Sequence, residues 1–79
     1  MENNFSINQL KGKHVIVRTK KTDQIVTGEL LLYGTHDKTI FLKNYTTKKI
    51  ENEESTVERE GDLIIMKRDS WVTIEIPRM

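Results

Sequence analysis

The residues best suited to chemistry lie in a polar segment between two apolar runs, within LLLYGTHDKTIFL at residues 30–42. His36, Asp37 and Lys38 are consecutive there, and a histidine beside an aspartate suggests a base with an orienting carboxylate. Neighbouring side chains on an extended chain point to opposite faces, however, so this pair cannot readily form a catalytic triad. The sequence also has no serine or cysteine in a strand-to-helix elbow and no glycine-rich phosphate loop. We therefore predict that the protein is not an enzyme.

Metal and cofactor chemistry is not indicated either. The sequence contains no cysteine, and its two histidines, His14 and His36, are too few for a metal site without acidic residues at ligand spacing. We expect neither a metal ion nor another cofactor. The absence of cysteine also excludes a disulfide framework and is typical of a reducing compartment.

A binding role has more support, because a second group of cations follows an apolar run further along the chain. Lys67 and Arg68 come directly after the run at 63–66 and precede another β-rich segment. Turn cations donate hydrogen bonds to phosphate or base oxygens, and histidine stacks on bases. By residue type alone, His36, Lys38, Lys67 and Arg68 are as typical of exposed turns as of a nucleic-acid site.

The net charge gives no argument for nucleic-acid binding, because the sequence has 13 basic and 12 acidic residues. The distribution is uneven: residues 11–21 carry five basic side chains and no acid, whereas residues 51–62 carry six acids and one arginine. Both runs are also typical of solvated faces. If a phosphate path exists, we expect the acidic stretch to lie away from it, because like charges would oppose binding.

No targeting or membrane segment is recognisable. The longest apolar runs are four residues, at 30–33 and 63–66, whereas a spanning helix needs about 18. The first residues, MENNFSINQL, lack the basic region and apolar stretch of a secretory signal. The sequence predicts a soluble, cytoplasmic protein.

The elements that would position these groups are mostly strands. Val, Ile, Thr and aromatic residues dominate from residue 13 onward, which predicts strands at 14–19, 25–33, 38–45, 62–67 and 71–76. Gly28 lies inside the second strand, where we expect the sheet to bend. The polar segment 46–61 predicts either a mobile loop or an extended hairpin tip. Ser6 and Gly12 are suitable caps for a short helix over 6–12. The predicted fold is all-β: a short N-terminal helix followed by a strongly bent, five-stranded antiparallel open barrel.

This order of elements resembles that of the Sm-like family of RNA-binding proteins, which includes the LSm, archaeal Sm-like and Hfq-related proteins, over nearly the whole chain. Gly28 and Leu30 match the first family motif, Tyr33 matches many archaeal members, and His36 lies where those members often place a stacking histidine. The resemblance implies a single Sm-like domain over 1–79, with an N-terminal helix at 1–12, a first motif at 13–45, a variable loop at 46–61 and a second motif at 62–76.

The sequence departs from the family at the nucleotide positions. Gly34 replaces an aspartate, Asp37 a methionine and Lys38 an asparagine, while Lys67 and Arg68 replace arginine and glycine in the second motif. Lys38 donates to uracil oxygens but cannot accept the N3 proton, and Lys67 lacks a flat guanidinium, for which Arg68 is a substitute.

The resemblance implies a ring of identical subunits, seven by analogy with the family, in which the edge of strand four pairs with a neighbour's strand five. It implies binding of single-stranded, U-rich or A/U-rich RNA at His36, Lys38, Lys67 and Arg68, with RNA-processing proteins as further partners. The alternative is a structural or protein-interaction ring that has lost base recognition. Trp71 is consistent with either a core position or an interface anchor.

Overall fold

The protein forms one curved antiparallel sheet. In the computed structural model, residues 11–34 and 36–76 are described. The strands are β1 His14–Thr19, β2 Gln24–Gly34, β3 Thr39–Glu51, β4 Glu54–Met66 and β5 Trp71–Glu75, and a short 3₁₀ turn spans Arg68–Ser70. Their order is β4-β3-β2-β1-β5, and every neighbouring pair is antiparallel. The predicted all-β open sheet is therefore confirmed, whereas the predicted helix falls largely on residues 1–10, outside the described ranges.

The core is a single cluster of buried apolar side chains. Val15 and Val17 in β1 are fully buried, whereas Arg18, which points to the opposite face of the sheet, is exposed. Within residues 11–34 and 36–76, the buried apolar side chains come from four strands: Val15, Val17, Val26, Leu30, Ile40, Leu42 and Met66. These residues form one cluster. Curvature of a sheet toward a barrel brings the inward-facing side chains of several strands together in this way.

The bend passes through Gly28. The β2–β3 register shifts between Thr27 and Glu29, on either side of this glycine. A Cβ added at Gly28 would lie 3.1 Å from the backbone oxygen of Lys43, so the close approach of β3 favours glycine. The irregularity that an interior strand glycine predicts is therefore present at Gly28, as a register shift with a close approach of β3.

The segment 46–61, predicted as a loop or an extended hairpin, is the hairpin. β3 and β4 pair as far as Glu51 and Glu54, and the two connecting residues, Asn52 and Glu53, both have positive φ, as in a type I′ turn. The strands predicted at 38–45 and 62–67 were therefore too short. All of residues 54–60 are exposed, so this half of β4 lacks the apolar alternation that marks a strand in a sequence.

The two edges of the sheet differ in length and both expose apolar side chains. β4 has 13 residues and β5 has five, and neither has a partner on its outer side among the described residues. Leu63 and Ile65 on β4 are about half exposed, at 49% and 52%, and Val72 on β5 is 56% exposed. The described residues include no helix long and apolar enough to cross a membrane.

Candidate nucleic-acid interface

The β2–β3 loop is a turn stabilised by its own residues. The Lys38 amide donates to the Gly34 carbonyl at 2.7 Å, and the Thr39 amide donates to Asp37 Oδ1 at 3.2 Å. A Cβ at Gly34 would lie 2.7 Å from Asp37 Oδ1, so the glycine makes room for the carboxylate. Two departures from the Sm-like motif, Gly34 and Asp37, therefore support each other as parts of one turn.

Trp71 connects this turn to β5. Its indole Nε1 donates to the Lys38 carbonyl at 2.9 Å, and Lys38 itself has a positive φ of 59°. The indole ring also packs edge-on against Tyr33, with ring centroids 6.3 Å apart. Trp71 is partly buried and packs against the core cluster. The structure thus places this side chain at the margin of the core, where it holds Lys38 beside the first residue of β5.

The β4–β5 turn is tied to a third loop. The Ser70 amide and hydroxyl donate to the Lys67 carbonyl at 2.9 and 2.7 Å. The Lys20 amide donates in turn to the Ser70 carbonyl at 3.3 Å. The β1–β2 loop is therefore held against the turn that carries Arg68.

These contacts surround a hollow of about 360 Å³, which we term the cationic hollow; its lining residues are Lys20, Tyr33, Lys38, Arg68, Trp71 and Val72. Among the residues that the structure describes, three basic residues and no acidic one line it. The structure thus brings together Lys38 and Arg68, two of the four site residues predicted from the sequence. A wall of two aromatic rings beside three cations is suited to an anion attached to an apolar group, such as a nucleotide.

The other two predicted residues, His36 and Lys67, are exposed and do not line the cationic hollow. In the sequence, His36 lies two positions before Lys38, and Lys67 directly precedes Arg68. Sequence reasoning missed Lys20, Tyr33 and Trp71 as lining residues. The basic run at 11–21 drew attention to a group of cations that includes Lys20. The sequence could not place Lys20 at the site, because its position depends on the contact of the β1–β2 loop with the β4–β5 turn.

A larger hollow of about 660 Å³ lies where the barrel is open, between β4 and the β1–β2 loop. Val26, Ile64 and Met66 contribute apolar side chains to it, and Glu58 and Arg59 contribute opposite charges. We regard this hollow as the unclosed side of the barrel, because it is lined by residues of the edge strand β4 and by Ser70, which directly precedes the other edge strand, β5. In the described part of the chain, no three His, Cys, Asp or Glu side chains are grouped to hold a metal ion.

Comparison with known proteins supports one fold. No protein-family model and no curated protein matches the sequence. Among solved structures, a chain of the NatC complex bound to CoA matches with a TM-score of 0.74 and 21% identity, over 98% of this chain and 91% of that chain. A Pyrococcus abyssii Sm protein, solved in complex with a uridine heptamer, matches with a TM-score of 0.71 and 25% identity, over 87% and 89% of the two chains. A heptameric archaeal Sm protein matches with a TM-score of 0.66 and 14% identity, over 90% and 94%. The chain therefore has the Sm-like fold.

Proposed function

We propose that the protein is a single-domain, non-catalytic Sm-like protein that forms a ring with copies of itself and binds single-stranded RNA as a scaffold or chaperone. The observation that carries this proposal is the convergence of Lys38 and Arg68, from two separate loops, in a hollow without acidic side chains. The Pyrococcus abyssii neighbour, which shares the fold at 25% identity, was solved with a uridine heptamer.

RNA binding would combine stacking with electrostatic attraction. His36 is exposed in the loop and offers a ring on which a base can stack, a contact worth about 1–3 kcal/mol per base. Lys38, Lys67 and Arg68 would bind phosphate and base oxygens, so affinity would fall with added salt. U-rich or A/U-rich sequences are the proposed targets, since lysine at position 38 provides donors for the uracil oxygens.

The two sheet edges support the proposed ring. A neighbour's β5 would pair with β4, covering Leu63 and Ile65 with the neighbour's apolar residues, Val72 among them. Such head-to-tail pairing closes into a ring when the rotation permits, and it removes two edges that otherwise invite aggregation. We propose seven subunits, as in the heptameric archaeal neighbour. Repeated sites around a ring would strengthen binding of one RNA by avidity.

The acidic hairpin tip is compatible with this site. Glu51, Glu53 and Glu54 surround the β3–β4 turn, whereas the β2–β3 loop precedes Thr39, at the opposite end of the 13-residue strand β3. We therefore expect Glu53→Gln with Glu54→Gln to change RNA affinity by less than about threefold, below 1 kcal/mol.

Two measurements test the proposal. Size exclusion with light scattering should give the mass of a closed oligomer, and a monomer at micromolar concentration would contradict the ring. In titrations with oligo-U, His36→Ala should weaken binding more than about tenfold through lost stacking and avidity. Lys38→Ala should mainly reduce the salt dependence of affinity. Lys48→Ala, which removes a cation at the far end of β3, is the matched control and should bind as the wild type does.

A second candidate function is a protein-interaction subunit that has kept the Sm-like fold but lost base recognition. Two observations favour it: the NatC chain matches with a TM-score of 0.74, and three nucleotide positions, Gly34, Asp37 and Lys38, depart from the family motif. An assembled protein that binds no homopolymer at low salt would support this candidate and reject the first.

A further inference from the structure

Lys20 gives the candidate site a third cation that no sequence motif assigns to it. It comes from the β1–β2 loop, whereas Lys38 and Arg68 come from the β2–β3 loop and the β4–β5 turn. All three side chains line the same hollow of about 360 Å³. Ligand pockets in proteins begin at about 300 Å³, so this hollow has room for one small group such as a single nucleotide.

Hydrogen bonds to main-chain carbonyls link the three loops that carry these cations. The Lys20 amide donates to Ser70, two residues after Arg68, and Trp71 Nε1 donates to the Lys38 carbonyl. The main-chain positions of the three residues are therefore linked through one short segment, 68–71. This shared segment keeps the three loops at fixed positions relative to one another, which unconnected loops would not do.

The two acidic residues next to these cations in sequence, Asp37 and Asp69, do not line the cationic hollow. The carboxylate of Asp37, the residue before Lys38, accepts the Thr39 amide at 3.2 Å and is not a lining group. Asp69, the residue after Arg68, is exposed and does not line the hollow either. The hollow therefore presents three positive charges to a single bound group.

Three cations match a terminal phosphate better than an internal one. A phosphodiester within an RNA chain carries one negative charge and two free oxygens, whereas a phosphomonoester carries about −1.5 to −2 at pH 7 and three strong acceptor oxygens. Hydrogen bonds between ionised groups are about twice as strong as neutral ones. The apolar wall of Tyr33, Trp71 and Val72 leaves a surface for the attached nucleoside.

We propose that the cationic hollow binds the terminal phosphomonoester of a single-stranded RNA, so that the protein prefers RNA ends that carry a phosphate. The inference rests on the proposed RNA-binding function and adds the chemistry of the preferred RNA end. The same phosphate chemistry occurs at either end of an RNA, so the test must distinguish 5′ from 3′ phosphates.

The test compares three oligouridines of equal length, with a 5′ phosphate, a 3′ phosphate or hydroxyls at both ends, at about 0.15 M salt. Anisotropy of a mid-chain label gives each dissociation constant. The fluorescence of Trp71, the single tryptophan, gives an independent signal from inside the hollow. We expect one phosphorylated oligomer to bind about tenfold more tightly than the hydroxyl-ended one and to change the Trp71 signal more.

Lys20→Gln should lower the ratio of the affinities for the phosphorylated and hydroxyl-ended oligomers to about one. Lys20→Arg should restore most of this preference. Lys21→Gln is the matched control: it removes the adjacent exposed cation, which does not line the cationic hollow, and should keep the ratio. Equal binding of all three oligomers by the wild type would overturn this inference and leave the proposed function standing. A preference that survives Lys20→Gln would overturn it too, because the phosphate would then bind elsewhere. If no oligomer binds, the proposed function and this inference fail together.

Discussion

Replacing Trp71 by phenylalanine removes the indole N–H that holds the Lys38 carbonyl while keeping an aromatic ring at the start of β5. The hydrogen bond is 2.9 Å long and solvent-exposed. A typical intramolecular hydrogen bond contributes about 0.5–1.5 kcal/mol, and exposure places this one in the lower half of that range. The ring contact with Tyr33 is partly retained, but the smaller phenyl ring buries less apolar surface at the margin of the core.

Together these losses should lower the free energy of unfolding by about 1–2 kcal/mol. For a domain of 60–100 residues, each 1 kcal/mol shifts Tm by about 4–8 °C, so we expect Trp71→Phe to lower Tm by at least about 4 °C. Thermal unfolding followed by far-ultraviolet circular dichroism measures this without the tryptophan. All variants must be compared at one protomer concentration, because assembly raises apparent stability.

Tyr33→Phe is the matched control, since it removes a polar atom from the other member of the same aromatic pair. Among the residues that the structure describes, the turn contacts do not involve the Tyr33 hydroxyl, so the Tm of Tyr33→Phe should stay within about 2 °C of that of the wild type. If Trp71→Phe behaves like Tyr33→Phe, the Lys38 contact contributes nothing measurable, and the argument that Trp71 fixes the loop is wrong.

Three further predictions concern the loop and the bend. Gly34→Ala should lower the free energy of unfolding by about 1 kcal/mol, because the added Cβ displaces Asp37 Oδ1 from the Thr39 amide. The double variant with Asp37→Ala should be little less stable than Asp37→Ala alone, and fully additive losses in urea unfolding would exclude the clash. Gly28→Val should lower the free energy of unfolding by about 1–3 kcal/mol, because the new Cβ would lie 3.1 Å from a backbone carbonyl oxygen of β3. An unchanged urea midpoint would show that the two strands can move apart at this position. Lys38→Asn should raise Tm, because asparagine tolerates a φ of 59° better than lysine does. It should also increase the preference for U over C in filter binding, and a lower Tm or an unchanged preference would contradict these expectations.

The sequence predicted those parts of the fold that leave a local pattern. The β-rich run at 14–19 was predicted as a strand, and Val15 and Val17 within it are core residues; an interior glycine marked the register shift at Gly28. The outer half of β4 left no such pattern, because residues 54–60 are all exposed and carry mostly polar side chains. Burial imposes alternation only where one face of a strand meets a core.

The candidate site was predictable in part. Lys38 and Arg68 were identified by their positions in two turns, and the family motif suggested that these turns converge. Lys20 was not, because its approach to Arg68 requires β5 to pair with β1. That pairing joins segments distant in sequence; the Arg18–Glu75 ion pair across it links residues 57 positions apart. No local pattern reports a contact of that range.

The same pairing sets the order in which the molecule can fold. β1 to β4 form a meander of consecutive hairpins whose closure needs only short loops, but β5 pairs with β1 alone, at the opposite edge of the sheet. Long-range pairing is the slow step in β-proteins, because loop-closure entropy is lost before native contacts compensate. We expect β5 to dock last, which makes β1 a temporary edge strand. Trp71 reaches the Lys38 carbonyl only when β5 is in place, so the cationic hollow and its tryptophan signal should form in the final kinetic phase.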